Sequence, residues 1–312
     1  MTTTLTARRP EDLLAAVPLV LGFRPSDSLV MLTFDAPGSF HARLDLPAAT
    51  ELAGTLPDLV EALLAPALRH RVGRVVFVGY SDDAALTARV ATALSRAFEE
   101  AGIAVLDVLR VDGGAWCRVP ALAGERETEP LPYDDATHPF AAQAVFEGRV
   151  THASREALRE TVARSPSAVA RVRAVPSGPG GLGPTDPVWV RDLVARCATT
   201  GLPPDDVEAA RALAAVVRVE VRDAALYAVT RDTAAAHLRV WADLLRRAPD
   251  AQVPDTAALT AFCAWQAGHG ALAWCALDRC FGVDPGHGLG RCLAECLTRA
   301  VPPSAWAELD DR

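Results

Sequence analysis

Val75-Val-Phe-Val78 is the stretch that decides the fold of the first half of the chain. Its uninterrupted apolar residues predict a strand buried on both faces, as found at the centre of a sheet covered by helices. A helix is predicted next from helically spaced apolar residues, namely Leu86, Val90, Leu94 and Phe98. Gly102 is suited to end this helix, and Ile103 to Val111 then predicts a second strand. The three elements form one crossover, which is right-handed if the strands are parallel.

Further strands are predicted on both sides of this crossover. They indicate an α/β domain with a mixed sheet and the element order ββαβαββ, whereas residues 120–150 are expected to be irregular. Pro66 is expected to kink or stop the helix between the first hairpin and the central strand. The segments are a hairpin of Ser28 to Phe34 and His41 to Leu46 around Asp35-Ala-Pro-Gly38, a helix from Thr55 to Arg69, and a strand from Trp116 to Val119 after the turn Asp112-Gly-Gly114.

The second half of the chain has helical patterns throughout. Residues 176–187 are rich in proline and glycine and predict a linker, so the expected domains are an α/β domain over 1–175 and an all-α domain over 188–312. Gly268 to Pro285 resembles the second half of a tetratricopeptide repeat, which makes this domain repeat-like. Helices are predicted at Ser154 to Ser165, Val188 to Thr199, Asp205 to Val219, Asp232 to Arg247, Asp255 to Ala267, Ala271 to Phe281 and Gly288 to Val301.

The composition excludes several classes of function. The chain contains no lysine and no asparagine, so its 31 basic residues are all arginine. Schiff-base catalysis, Walker-A nucleotide hydrolysis and protein-kinase chemistry each need a lysine and are therefore excluded. The net charge of -8 disfavours a nucleic-acid partner, and no apolar stretch is long enough for a membrane helix. We expect a cytoplasmic protein with no cofactor.

Seven cysteines favour reduced thiols over a disulfide framework. Five of them lie between Cys263 and Cys296 at helical spacing, where cysteine packs as a small hydrophobe, and no metal site is expected although one remains an alternative. Cys117 could form a thiol dyad with His138 or His152, but its position in a strand favours a core role. No G-x-S-x-G nucleophile elbow is present.

Tyr80-Ser-Asp-Asp83 follows the central strand, at the edge where open α/β sheets place ligands. Asp82 and Asp83 could bind a divalent cation or serve as acid and base, with Tyr80 as a further catalytic candidate. Ser81 is a candidate ligand-binding residue. The structural alternative is that Ser81 or Asp82 caps the following helix while the other acid favours its positive end.

The loop Gly22-Phe-Arg-Pro-Ser-Asp-Ser28 is the second candidate site. Arg24 could bind an anion through two parallel hydrogen bonds, with Ser26, Asp27 and Ser28 orienting it. The alternative is a purely structural loop, in which Pro25 sets a turn and Asp27 bonds local amides. If the two loops meet in space, they form a small pocket of acids and arginine.

Three segments together resemble an uncharacterised actinobacterial family known as domain of unknown function 4192. They are Pro10 to Pro18 continuing into Gly22 to Leu29, Ala141 to Val145 continuing through Gly148 to Ser154-Arg-Glu156, and Leu259 to Pro285. The resemblance covers nearly the whole chain and implies no activity. Many members of that family carry a cysteine cluster after the strand that corresponds to Ala115 to Val119, which this chain lacks beyond Cys117.

The function expected from the sequence is that of a regulatory module that binds a small molecule or a protein partner. One alternative is an enzyme, such as a metal-dependent hydrolase or transferase, that uses Asp82 and Asp83 with Arg24 or Tyr80. Another is a structural protein that self-associates through its last helices.

Overall fold

A computed structural model describes residues 7–36, 40–120, 127–146, 149–176 and 186–306. Contacts within the chain define two compact units, the first extending to Arg155 and the second beginning at Glu156. The first unit is a mixed α/β structure and the second is helical, which confirms the predicted combination of an α/β part and a helical part. Most of the predicted linker at 176–187 lies outside the described residues, so a boundary there stays a prediction.

The strands of the α/β unit are β1 Ser28–Phe34, β2 His41–Asp45, β3 Arg74–Tyr80, β4 Ala104–Asp112, β5 Ala115–Arg118 and β6 Leu131–Pro132. In the described part of the chain they form one sheet with the order β2-β1-β3-β4-β5-β6. The central pair β3 and β4 is parallel, and every other neighbouring pair is antiparallel. The sheet is therefore mixed, as the sequence predicts.

Helices cover both faces of this sheet. They are α1 Pro10–Leu21 on one face and α2 Leu52–Arg69 and α3 Ala84–Glu100 on the other, and α4 Pro139–Phe146 packs against α1. Val75 and Phe77 face the side covered by α2 and α3, whereas Val76 and Val78 face the side where α1 packs. All four side chains are buried, which explains why the central strand is uniformly apolar.

One local prediction for this unit is wrong, and of the two effects predicted for Pro66, a kink or a stop, the stop is contradicted. Residues 120–150 are not irregular throughout, because β6 and α4 lie there. Pro66 does not end the helix, since α2 continues to Arg69. The predicted turn at Asp35-Ala-Pro-Gly38 lies partly outside the described residues.

The second unit is built around one central helix. Its helices are α5 Arg155–Glu160, which starts at the last residue of the first unit, α6 Pro166–Arg173, α7 Pro187–Thr200, α8 Asp206–Val216, α9 Val219–Tyr227, α10 Ala234–Arg247, α11 Val253–Gln266, α12 Gly270–Phe281 and α13 Gly288–Thr298. Nearly every residue of α11 is buried, and α8 to α10, α12 and α13 pack against it. Two predicted helices end earlier than expected, α5 at Glu160 and α8 at Val216, and the helices that follow them, α6 and α9, were not predicted. Within the described ranges, no helix combines the length and apolar character needed to cross a membrane.

Candidate functional site

The two loops singled out in the sequence meet at one edge of the sheet. Gly22, with φ of 81°, ends α1 in the left-handed conformation. The chain then pairs with His152, whose carbonyl accepts a hydrogen bond from the backbone N–H of Arg24 at 3.0 Å. In the register of β1 and β3, Ser28 lies directly opposite Tyr80. The start of β1 and the end of β3 therefore bring the two loops together.

Ser28 is buried and lies within a hydrogen-bonded network of the first loop. Its hydroxyl accepts a hydrogen bond from Nε of Arg43 at 2.9 Å and donates one to the backbone carbonyl of Ser26. Arg43 also pairs with Asp45, with 2.6 Å between Nη1 and Oδ1. Asp27 has a positive φ of 44°, and its carbonyl accepts the N–H of Leu46. These contacts fix the backbone of the loop.

The Tyr80 to Asp83 segment begins α3. The carboxylate of Asp83 accepts the N–H of Leu86 at 2.8 Å, which is an N-terminal cap. The hydroxyl of Ser81 accepts the N–H of Asp83 at 3.1 Å, and Asp82 is exposed. The side-chain hydrogen bonds of Ser81 and Asp83 are thus those of a helix start, while the backbone carbonyl of Ser81 accepts a hydrogen bond from Arg110 at 3.3 Å.

Tyr80 belongs to a row of residues that crosses the sheet on the α1 side. The strand registers align Ser28 with Tyr80, Tyr80 with Val111, Val111 with Trp116, and Trp116 with Leu131. Tyr80 and Trp116 pack in the same apolar cluster as residues of α1. The row therefore lies at the end of the central strand, on the face where α1 packs.

Three buried hydrogen-bonding atoms on this side have no partner among the described residues. They are the hydroxyl oxygens of Tyr80 and Tyr133 and Nε1 of Trp116, and we call these three side chains the donor cluster. Tyr133 packs against the same apolar cluster, and its backbone N–H donates to the carbonyl of Gly114 at 2.7 Å. A buried polar atom without a partner is costly, so three on one side of the sheet make this side a candidate binding site.

An ion pair lies beside the donor cluster. Nε of Arg24 donates to Oδ2 of Asp135 at 2.8 Å, with the Arg24 side chain 46% exposed and that of Asp135 20% exposed. Burial, reinforced by the Asp135 carboxylate, raises the pKa of the Tyr133 phenol. Burial likewise raises the pKa of Tyr80, with smaller contributions from Tyr133 and Asp135. Both phenols therefore stay protonated near neutral pH and can donate hydrogen bonds.

The opposite face of the sheet holds a buried charge cluster at the same end. Nη2 of Arg110 lies 2.7 Å from Oε2 of Glu127, and the Cys117 thiol lies 3.3 Å from the same oxygen. The hydrogen bond from Arg110 lowers the pKa of Glu127. Burial and then the Glu127 carboxylate raise the pKa of Cys117 to about 11. A cavity of about 60 Å³ adjoins Arg110, Cys117 and Trp116.

The structure does not place Cys117 in a dyad with His138. The described partner of the thiol is Glu127, and Nε2 of His138 lies 3.2 Å from Oδ1 of Asp12. His152 is engaged through its backbone with Gly22 and Arg24. All seven cysteines are free, and the described ranges contain no group of three or more His, Cys, Asp or Glu side chains that could hold a metal ion.

Sequence reasoning identified Tyr80 and Arg24 but missed Trp116, Tyr133 and Asp135 as members of one site. Tyr133 and Asp135 lie in the segment expected to be irregular. The only local signal was an aromatic residue beside acids, a pattern too common to single out.

The fold and the site define a two-unit protein whose α/β unit carries, at one end of its sheet, three buried hydrogen-bond donors with no partner in the described part of the chain. Residues 10–304 match the model of the family described as Domain of unknown function (DUF4192), and the chain belongs to this family. No curated protein and no solved structure matches the chain.

Proposed function

We propose that the α/β unit binds a small molecule through the donor cluster of Tyr80, Trp116 and Tyr133. The carrying observation is that these three buried donors have no partner among the described residues. Leaving a buried donor unpaired costs about 1–3 kcal/mol. A ligand that offers hydrogen-bond acceptors would remove this cost. The loss of stability in the ligand-free protein is then offset by the hydrogen bonds that form when the ligand binds.

The position of the cluster supports this function. Tyr80 is the last residue of β3, and open α/β sheets bind ligands beyond the carboxyl ends of their parallel strands. Trp116 is only 6% exposed and is aligned with Tyr80 through Val111. Because a sheet fixes the spacing of its strands, these two donors are held in place before a ligand arrives.

The enzymatic alternative has less support. Acid and base roles for Asp82 and Asp83 require both carboxylates to converge on a substrate. Asp83 instead caps α3 and Asp82 is exposed. Binding is therefore the function that the geometry favours.

We also propose that the helical unit is repeat-like and that the protein is cytoplasmic. The pair α11 and α12 is joined by a short turn with Gly268 at φ of 80°, as in a helical hairpin. Free thiols at all seven cysteines are typical of reducing compartments.

The three tyrosines of the sequence provide a matched test. Tyr80 and Tyr133 belong to the donor cluster, whereas Tyr227 is 60% exposed in the helical unit. A library of small metabolites is screened for ligands that raise the melting temperature of the protein. Tyr80→Phe and Tyr133→Phe should each abolish the shift that a true ligand causes, and Tyr227→Phe should retain it.

The ligand-free variants provide a second readout. Removing a hydroxyl that has no partner should leave stability unchanged or raise it by about 1 kcal/mol. A clear loss of stability in ligand-free Tyr80→Phe would show that the hydroxyl is already satisfied. That result, or a screen in which every stabilising ligand acts equally on Tyr80→Phe, would overturn the proposal.

A further inference from the structure

We infer that the ligand carries a carboxylate and that this group takes the place of Asp135 on the guanidinium of Arg24. The inference rests on the proposed function, because it assigns a chemical class to the ligand of the same site. In the ligand-free protein the Asp135 carboxylate then occupies the position of the ligand carboxylate, and the ligand must displace it.

Arg24 has the geometry of an anion-binding residue. Its backbone is held by the hydrogen bond to His152, so the side chain starts from a fixed point. Only Nε donates to Asp135, and within the described ranges the terminal nitrogens have no side-chain or backbone partner. A guanidinium offers five donors and binds carboxylates best through two parallel bonds. The contact with Asp135 therefore uses only one of the five N–H donors of the Arg24 guanidinium.

The remaining groups of the site also favour an anion. Both phenols stay protonated, so the donor cluster presents O–H and N–H groups. Two charged acceptors lie nearby, but Asp135 already pairs with Arg24 and Asp134 accepts the backbone N–H of Ala136 at 2.9 Å. A ligand that brings only donors would meet few acceptors, whereas a carboxylate satisfies several donors at once.

The number of positive charges free to bind a ligand at this site favours a ligand with a single negative charge. A second guanidinium, that of Arg43, lies on the same side of the sheet but is already bonded to Asp45 and Ser28. Displacement of Asp135 would therefore free one positive charge, that of Arg24. One guanidinium matches a carboxylate, while a phosphate dianion would remain half neutralised.

The body of the ligand is expected to be planar or aromatic. Trp116, Tyr80 and Tyr133 supply three aromatic rings on this face, and Phe23 lies next to Arg24 in the loop. Aromatic rings pack favourably against one another beyond simple area burial. Benzoate is the simplest probe with both features, and benzamide is its neutral counterpart of nearly the same shape.

The test measures binding of benzoate, benzamide and inorganic phosphate by calorimetric titration near neutral pH. The full chain is compared with Asp135→Asn, Arg24→Gln and a control, Asp58→Asn. Asp58 is an exposed acid on α2, so this control changes the net charge equally without touching the site. All variants should fold, because the Arg24–Asp135 pair is partly exposed and such pairs contribute little stability.

Asp135→Asn should bind benzoate about tenfold more tightly than the unmodified chain, since the competing carboxylate is gone. Arg24→Gln should lose the preference for benzoate over benzamide. Equal affinities of Asp135→Asn and Asp58→Asn for benzoate would overturn the inference, as would tighter binding of phosphate.

Two outcomes separate this inference from the proposed function. Benzamide that binds as tightly as benzoate, and only when Tyr80 is present, would overturn the carboxylate and leave small-molecule binding standing. Failure of all three probes to bind Asp135→Asn would also overturn the carboxylate, while the metabolite screen with Tyr80→Phe decides the proposed function independently.

Discussion

Gly79 provides the sharpest test of how β3 is held against α3, immediately before Tyr80. A Cβ atom added at Gly79 would lie 2.9 Å from Cγ2 of Thr87. Non-bonded carbon atoms attract best at about 3.5–4.0 Å, so the added methyl group is too close. Thr87 is buried, and its hydroxyl donates to the carbonyl of Asp83 at 2.9 Å, so its side chain cannot easily rotate away.

The expected cost follows from this overlap. Forcing an extra methyl group into a packed core costs about 1–3 kcal/mol, and we expect Gly79→Ala to lose about 2 kcal/mol. Thr87→Ser removes the contacting methyl group and keeps the hydroxyl, and by itself it should cost about 0.8 kcal/mol. In the Thr87→Ser background, Gly79→Ala should then cost at least about 1 kcal/mol less than in the original chain.

Hydrogen exchange of peptides that cover β3 during urea unfolding measures this effect, because it reports on the α/β unit separately. Gly54→Ala is the control, since Gly54 lies in α2 and a Cβ there would have no atom within 4 Å. That substitution should leave stability unchanged or raise it. An equal cost of Gly79→Ala with and without the Thr87 methyl group would refute the reasoning.

Two further predictions concern the charge cluster on the other face of the sheet. Glu127→Ala leaves Arg110 buried without its closest counter-charge, and the α/β unit should lose about 3 kcal/mol near neutral pH, measured by the same exchange method. Because Arg110 lowers the pKa of Glu127, this stabilisation is present above the ordinary glutamate pKa and is lost as pH falls through the lowered value. The stabilities of the variant and the original chain should therefore converge in acid. A difference in stability that stays constant with pH would contradict this prediction. Iodoacetamide at about pH 8 should modify the exposed Cys292 well before Cys117, because only thiolates react and burial raises the pKa of Cys117 to about 11. Peptide mass spectrometry measures the two rates of modification, and equal rates would contradict this prediction.

The sequence by itself determined the elements whose signals are local. The continuous apolar run of Val75 to Val78 predicts a strand buried on both faces, and β3 is such a strand. Helical spacing from Leu86 to Phe98 predicts α3, but the cap predicted at Ser81 or Asp82 is provided by Asp83. These signals are readable because strand and helix periodicities involve residues at most four positions apart.

Local patterns were insufficient at the end of one helix and for a very short strand. The sequence from Asp205 to Val219 has one helical pattern, but Arg218 is extended and separates α8 from α9. β6 has only two residues, too few for any periodicity, and its pairing with Ala115 and Trp116 is what defines it as a strand.

Only the tertiary structure decided the site. Strand order and register set Ser28 opposite Tyr80, and they carry Trp116 into the same row through Val111. Arg24 and Asp135 are 111 positions apart in the sequence and 2.8 Å apart in space. No period in the sequence connects such residues, because their distance depends on which strands pair and in what register, and that choice is made by burial of the sheet as a whole.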